Sequence, residues 1–407
     1  MRKLRLILLA LAFLSLALGY ALHSEQALDE KAMLRDREPG RFFSAKQGSP
    51  PLYRSDSLVA FNSHDIAPSI RGYAGPIKLM LVLGPDGLIR GIRIIEHRET
   101  KNYVHYLETP QFLNQFLGKR VTDAFVVDRD IDGVTRATVS AEALARTVRE
   151  SARIVAAQEY NIQAAPDDAA ANRTGKWIVY ALLFSATLAL YFITRRSKKL
   201  LRLRDLCLAA GIAIIGLYLA TPFSILHVFN LLFGRLSSDI LWYVLVLSVL
   251  LSFLIVGRFY CGWLCPFGAL SEFISRVPIQ KWNISPNTDE QWRRAKYLLL
   301  GLIVVLVFVS RQPEFGNFEA YITLFSFHGS ILAWLLVGLT LVANLRVKRF
   351  WCRYLCPIAA LSGLLSRSAP GYLGSADCPM ANRMHPEISE CIRCHRCYAA
   401  READRGR

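Results

Sequence analysis

Long stretches without a charged side chain limit this chain more than any other feature. Residues 177–194, 206–234, 240–257 and 320–345 contain no Asp, Glu, Lys or Arg. Each is about long enough to cross a bilayer, which takes roughly 17–25 apolar residues. A fifth block, 297–310, is shorter, and Lys296 and Arg311 stand at its ends in position to snorkel. With 53% of its 407 residues apolar, the chain exceeds the roughly 45–50% usual for a soluble domain. The excess sits in these blocks. The pattern predicts an α-helical polytopic membrane protein in a lipid bilayer, with five transmembrane helices over 177–345, and it excludes a disordered chain.

The formal charge of +17 comes from 49 Lys and Arg against 32 Asp and Glu. Its distribution reads as topology and not as a nucleic-acid surface, so no nucleic-acid partner is expected. Arg195, Arg196, Lys198, Lys199, Arg202 and Arg204 fill one inter-helix loop. Arg258, Arg276, Lys281, Arg293, Arg294 and Lys296 fall in the loop 258–296, whereas the alternate loops carry only Arg235 and Arg311. Cytoplasmic loops are the Lys/Arg-rich ones, so twelve against two places these loops, and the C-terminus, in the cytoplasm of a bacterial inner (plasma) membrane.

Arg2, Lys3 and Arg5 precede an apolar run from Leu6 to Leu22, the pattern of a signal anchor or signal peptide over 1–24. The polar segment beyond it is then exported. Within 50–165, Pro76–Leu83 and Leu88–Ile95 read as strands joined by the turn Gly84-Pro85-Asp86-Gly87. Leu144–Ala156 has helical spacing, and Ser140 is placed to cap a helix beginning at Ala141. An α+β domain is expected there.

A repeat recurs 91 residues apart: Arg258-Phe-Tyr-Cys261-Gly-Trp-Leu-Cys265-Pro266 stands against Arg349-Phe-Trp-Cys352-Arg-Tyr-Leu-Cys356-Pro357. Each C-x3-C-P copy comes after an outside-to-inside block, so both lie on the cytoplasmic face. Nine cysteines occur and none lies in the exported segment, which excludes a disulfide scaffold. Cys391, Cys394 and Cys397 form C-x2-C-x2-C, and Cys378 is followed by Pro379. Three thiolates on one tight loop are the bacterial ferredoxin spacing, with a distant Cys-Pro as fourth ligand. Closed four-cysteine zinc sites also use C-x2-C pairs, but a third Cys at that spacing favours iron–sulfur. Eight thiolates suit two [4Fe-4S] clusters. One allocation gives Cys261, Cys265, Cys352 and Cys356 to one cluster and Cys378, Cys391, Cys394 and Cys397 to the other. In the alternative, Cys265 or Cys356 completes the C-terminal triad.

Ile131-Asp132-Gly133-Val134-Thr135-Arg136-Ala137-Thr138 resembles the D-x-V-[ST]-G-A-T motif of FMN-binding domains, with Arg136 where the motif has Gly. Gly72–Ile77 and His97-Arg98-Glu99-Thr100 resemble further segments of that domain, although Lys101-Asn102 replaces the usual Pro-Gly. The resemblance implies FMN esterified through its phosphate to Thr138, attached by a flavin transferase. It places Asp132, Thr135, Arg136, Ala137, Glu99 and Thr100 around the flavin. The whole constellation, with a small cytoplasmic ferredoxin-like tail over 346–407, resembles the NosR/NirI family of denitrification. That family implies electron transfer from the membrane quinol pool through the clusters and FMN to a periplasmic reductase of the nitrous oxide reductase type. Two other roles stay open: a redox-responsive regulator of reductase gene expression, or a maturation factor for a periplasmic reductase, including reductive dehalogenase systems.

Overall fold

The structure, a computed structural model, describes residues 2–22, 43–44, 47–49, 51–70, 72, 76–97, 105–127, 129–133, 138–164, 175–194, 198–234, 239–311, 313–316, 318–327, 329–366, 378, 380 and 390–396. The chain divides into two compact units. One comprises 23–173 with 230–242; the other comprises 1–22, 174–229 and 243–407.

The first unit is a four-stranded antiparallel meander in the order β1 (Tyr53–Ser55), β2 (Leu58–Asn62), β3 (Lys78–Leu83), β4 (Ile89–Glu96). The register sets Phe61 opposite Leu81 and Leu81 opposite Ile92. The expected hairpin is β3–β4, and Gly87 takes the left-handed backbone (φ 73°) that its turn needs. Sequence reading missed β1 and β2, whose short runs carry little period-2 signal. Strand β3 alternates as a pleated strand must. Leu79, Leu81 and Leu83 enter the main core, and Met80 and Val82 face a smaller one. The helix Thr138–Tyr160 covers the main core with Leu144, Val148, Ala152 and Val155, spaced three or four apart, and with Ala156. This helix begins at Thr138, so Ser140 is an interior residue and not the cap expected of it.

Below this sheet, the Asp130 carboxylate accepts the Val126 N–H at 2.6 Å and the Phe125 N–H at 3.0 Å, with Lys119 Nζ at 3.2 Å. Partial burial opposes ionisation, but these donors outweigh it and hold the carboxyl below its ordinary range.

The second unit is helical. Gly175–Thr194 is, among the described residues, the one helix long and apolar enough to cross a membrane by itself. Ala320–Ser326 and Ile331–Arg346, bent by 106°, make a second if taken as one broken span. Within this part of the chain, two of the apolar blocks are broken rather than single straight helices. Block 206–234 breaks into Leu203–Ala210, a π-helical stretch Gly211–Tyr218, and Ile225–Leu232. Pro222, which lacks an N–H and disfavours helix in the residue before it, stands in the gap. Close packing accompanies the π stretch: a Cβ on Gly211 would lie 2.5 Å from the Leu264 carbonyl oxygen. Block 297–310 is the end of a longer helix, Pro286–Ser310, capped by Ser285 with Pro at its first turn. The N-terminal helix Arg2–Leu22 packs on it, and Gly19 allows the approach to the Phe308 carbonyl.

The Asp130 contacts predict a pH dependence. A carboxyl held low in the folded unit contributes stability above its unfolded pKa of about 3.9, and that stability is lost as pH falls through the lower folded value. Asp130→Asn should lower the melting temperature of the first unit near neutral pH. The difference from wild type should shrink below about pH 4. Thermal scans between pH 3 and 7, read by proteolysis of this unit in the full chain, check both.

Candidate functional site

The repeated C-x3-C-P motifs fold alike. Phe259–Trp263 and Phe350–Tyr354 are single-turn helices carrying Cys261 and Cys352. After each comes a turn and a second helix, Pro266–Ile274 or Pro357–Leu365, with Pro at its first position. The cysteine before Pro is the N-cap in both: Cys265 Sγ accepts from Gly268 N, and Cys356 Sγ accepts from Ala359 N, each at 3.4 Å. A helix N-terminus favours negative charge, so the motif sets each of these sulfurs where a thiolate is stabilised.

The two copies face the same interior. Burial, followed by the charges of Cys352 and Cys261, pushes the Cys265 thiol up. Cys356 is raised in the same way, with Cys352 and Cys261 among its neighbours. Cys261 and Cys352 are therefore within electrostatic reach of both Cys265 and Cys356. Cys394 belongs elsewhere: its charged neighbours are Arg204, Glu272 and Arg396. Among the described residues no three His, Cys, Asp or Glu side chains converge on a position for a single metal ion, and none of the described cysteines is in a disulfide.

Buried charge surrounds these sulfurs. Arg204, Arg258, Lys296, Arg349, Arg353 and Arg393 are all buried, against the buried carboxylates Glu272 and Glu390. Asp289, nearly buried, pairs with Arg353 at 2.6 Å. Glu272 takes both Arg204 nitrogens (2.7 and 2.8 Å), Arg349 Nη2 (2.6 Å) and Arg396 Nη2 (2.8 Å). Burial opposes its ionisation, but Arg349 and Arg204 hold it well below the usual range. Glu390 receives Arg258 Nη1 at 2.8 Å, Lys296 Nζ at 2.6 Å and the Tyr297 hydroxyl at 2.9 Å. Against the opposing effect of burial, Lys296 and Arg258 hold it down to about 2. Even so, Arg258 Nε and Nη2, Arg349 Nε, Arg393 Nη2 and Trp351 Nε1 are buried donors with no acceptor among the described residues. Buried polar groups are almost always paired. Arg258, Arg349 and Lys296 lie within electrostatic reach of these thiols, and the first two carry orphaned N–H groups, an environment that a net-negative, sulfur-rich group fits.

The C-terminal cysteine loop docks on the first copy. Trp263 Nε1 donates to Arg393 O at 2.9 Å, and Arg393 Nε donates to Val256 O at 3.1 Å. A Cβ at Gly262 would lie 1.9 Å from the Ile392 carbonyl oxygen. The equivalent position in the second copy is Arg353, so the repeat diverges where the arm lands. Cys378 and Cys391 are half-buried and Cys394 is buried; Cys397 lies outside the described residues.

In the first unit, Asp132 is exposed and its N–H donates to Gln115 Oε1 at 2.6 Å. Thr138 opens the long helix, but its side chain lies outside the described residues, as do Thr135, Arg136, Ala137, Glu99 and Thr100. Sequence reading did not single out Glu272, Glu390 or Arg204. No sequence signal marks them, because only the fold says which charged residues are covered.

Comparison with known proteins agrees with these two centres. An FMN-binding domain matches residues 72–153, and a 4Fe-4S binding domain matches twice, at 238–285 and 327–374. Together they define a flavo-iron–sulfur protein. The chain is 29% identical over 243 residues to the regulatory protein NosR of Pseudomonas aeruginosa (50% of this chain, 33% of NosR). It is 31% identical over 205 residues to the protein NirI of Paracoccus denitrificans (45% and 30%). An uncharacterized protein of Methanocaldococcus jannaschii is 30% identical over 174 residues (38% and 65%). These matches together support a NosR/NirI-type flavo-iron–sulfur protein. It spans between 30% and 65% of the length of these curated relatives. No solved structure matches it.

The docking of the arm makes a prediction. Gly262→Ala forces a Cβ into the Ile392 carbonyl, an overpacking cost of about 1–3 kcal/mol. It should speed tryptic cleavage at Arg393 and Arg396. Gly338→Ala, where a Cβ meets nothing within 4 Å, should leave cleavage at the wild-type rate.

Proposed function

We propose that this protein carries electrons across the inner membrane, from iron–sulfur centres at the cytoplasmic face to FMN on the outer face, and delivers them to a periplasmic reductase. The domain matches and relatives support the coarser role of electron transfer or regulation. The observation that carries the finer reading is the meeting of the two C-x3-C-P copies around one buried, cation-rich interior in a chain that also holds an FMN-binding domain. Iron–sulfur groups relay single electrons, and flavin exchanges either one or two.

The chain's own residues have distinct tasks in this reading. Cys261, Cys265, Cys352 and Cys356 hold one cluster, and Cys378, Cys391, Cys394 and Cys397 a second. The helix N-termini at Pro266 and Pro357 steady the thiolates of Cys265 and Cys356. Trp263 and Trp351, both fully buried, keep water from the sulfurs. Thr138 carries FMN as a phosphoester, installed by a flavin transferase, with Asp132, Thr135, Arg136, Ala137, Glu99 and Thr100 around it. The loop charges support cytoplasmic placement of the clusters and C-terminus in a multi-pass topology. The membrane quinol pool is the donor in this scheme. Regulation of reductase expression is the second reading, supported by the name that the relative NosR bears.

Three measurements test it. Intact mass should show an added FMN that is absent in Thr138→Val; retention of covalent flavin there refutes the attachment site. The double variant Cys265→Ala, Cys356→Ala should lose about four iron atoms per molecule while keeping FMN, and electron delivery to the reductase should stop. Reporter fusions at residue 120 and at the C-terminus should report opposite compartments.

A further inference from the structure

Arg258 is wholly buried and stands three residues before Cys261. Its Nη1 donates to Glu390, the residue preceding Cys391. Its Nε and Nη2 are buried with no acceptor among the described residues. Cys261 and Cys352 both lie within its electrostatic reach. The repeat-related Arg349 is committed differently. Its Nη1 donates to Cys261 O at 2.7 Å and its Nη2 to Glu272 at 2.6 Å, which leaves Nε alone. One guanidinium thus spans the interior of the twin motifs and the start of the C-terminal cysteine loop, with two donors unspent.

We propose that Arg258 is a positioning residue that sets the reduction potential of the twin-motif cluster, donating Nε and Nη2 to its sulfur atoms while Nη1 ties that cluster to the C-terminal arm through Glu390. The inference rests on the cluster assignment made under Proposed function. Its physical basis is that hydrogen bonds to sulfur, net charge and solvent exposure set cluster potentials. Accepting one electron adds one negative charge to the group, and a fixed buried cation with aligned donors favours the reduced state. Glu390 offsets part of that charge. The divided use of one planar fork also explains why Arg, and not Lys, suits the position: a single ammonium cannot present two directed donors to one neighbour and a third to another.

The test is potentiometric titration of the full-length protein followed by EPR, with iron content and covalent flavin measured alongside. Arg258→Met should move the midpoint of one iron–sulfur signal to lower potential. The shift should be several times that of Arg294→Met, which removes the same charge from an exposed site (69% exposed). Arg258→Lys should restore part of the shift. Glu390→Gln should move the same midpoint upward, because Arg258 then lacks its counter-charge. Unchanged midpoints in Arg258→Met with full iron would overturn the proposal. If Arg258→Met loses iron instead, Arg258→Lys and Glu390→Gln decide: opposite shifts support the proposal, and no shift in either rejects it. Absence of any iron–sulfur signal in the wild-type protein would reject the cluster assignment itself, a separate outcome.

Discussion

The Glu272 carboxylate is the point on which the arrangement of the cysteines depends. Its two oxygens are shared by Arg204 from the helix Leu203–Ala210, Arg349 from the second copy, and Arg396 from the C-terminal arm. Three segments far apart in sequence are brought to one buried anion. Arg204 also donates to Gly262 O at 2.8 Å and Arg349 to Cys261 O at 2.7 Å, so the same cations grip the backbone of the first copy. A buried ion pair is weak evidence of net stability, but removing one partner leaves uncompensated charge and costs about 3–5 kcal/mol. Here the loss of Glu272 would leave the buried guanidinium groups of Arg204 and Arg349 facing each other, with those of Arg276 and Arg396 at the edge.

Around that anion the duplicated motif has become two different things. Local structure is shared: a one-turn helix, a turn, a Cys-capped helix beginning with Pro. What differs is what each copy receives. The first offers Gly262 to the arm, and its helix supplies Glu272. The second has Arg353 and Gly363 at those positions. Arg353 turns to Asp289 on the helix Pro286–Ser310, and the Tyr354 hydroxyl joins it at 2.5 Å. The two arginines that open the motifs split in the same way, Arg258 to Glu390 and Arg349 to Glu272. Divergence at these few positions makes the pair asymmetric while leaving the sulfur-bearing geometry alike.

The sheet unit reaches its stability by other means. Its core is apolar, with Phe61, Leu81, Phe116 and Leu144 essentially inaccessible, and its polar anchor is the Asp130 carboxylate that closes the 125–130 turn. A domain with its own core can fold and carry its cofactor without help from the cysteine-bearing helices.

Much of this was legible in the residues themselves. Alternation in Lys78–Leu83, a Gly-containing turn and helical spacing after Leu144 are local signals with short periods, and they marked the hairpin and the long helix. The twin C-x3-C-P motifs and the flavin motif were equally plain, because ligand spacing is written along the chain. The breaks within 206–234 and 320–345 were not, since apolar composition reports what a segment can be buried in and says little of where its backbone bends. Nor could the chain announce that Glu272 and Glu390 are buried anions, or that Arg258 is left with two donors. Burial and pairing belong to residues more than a hundred positions apart, 132 in the case of Arg258 and Glu390. The sequence by itself determined the β3–β4 hairpin, the long helix and the spacing of the cysteines. Only the tertiary structure decided which charges lose their water, because desolvation depends on what packs above a residue and not on its neighbours in the chain.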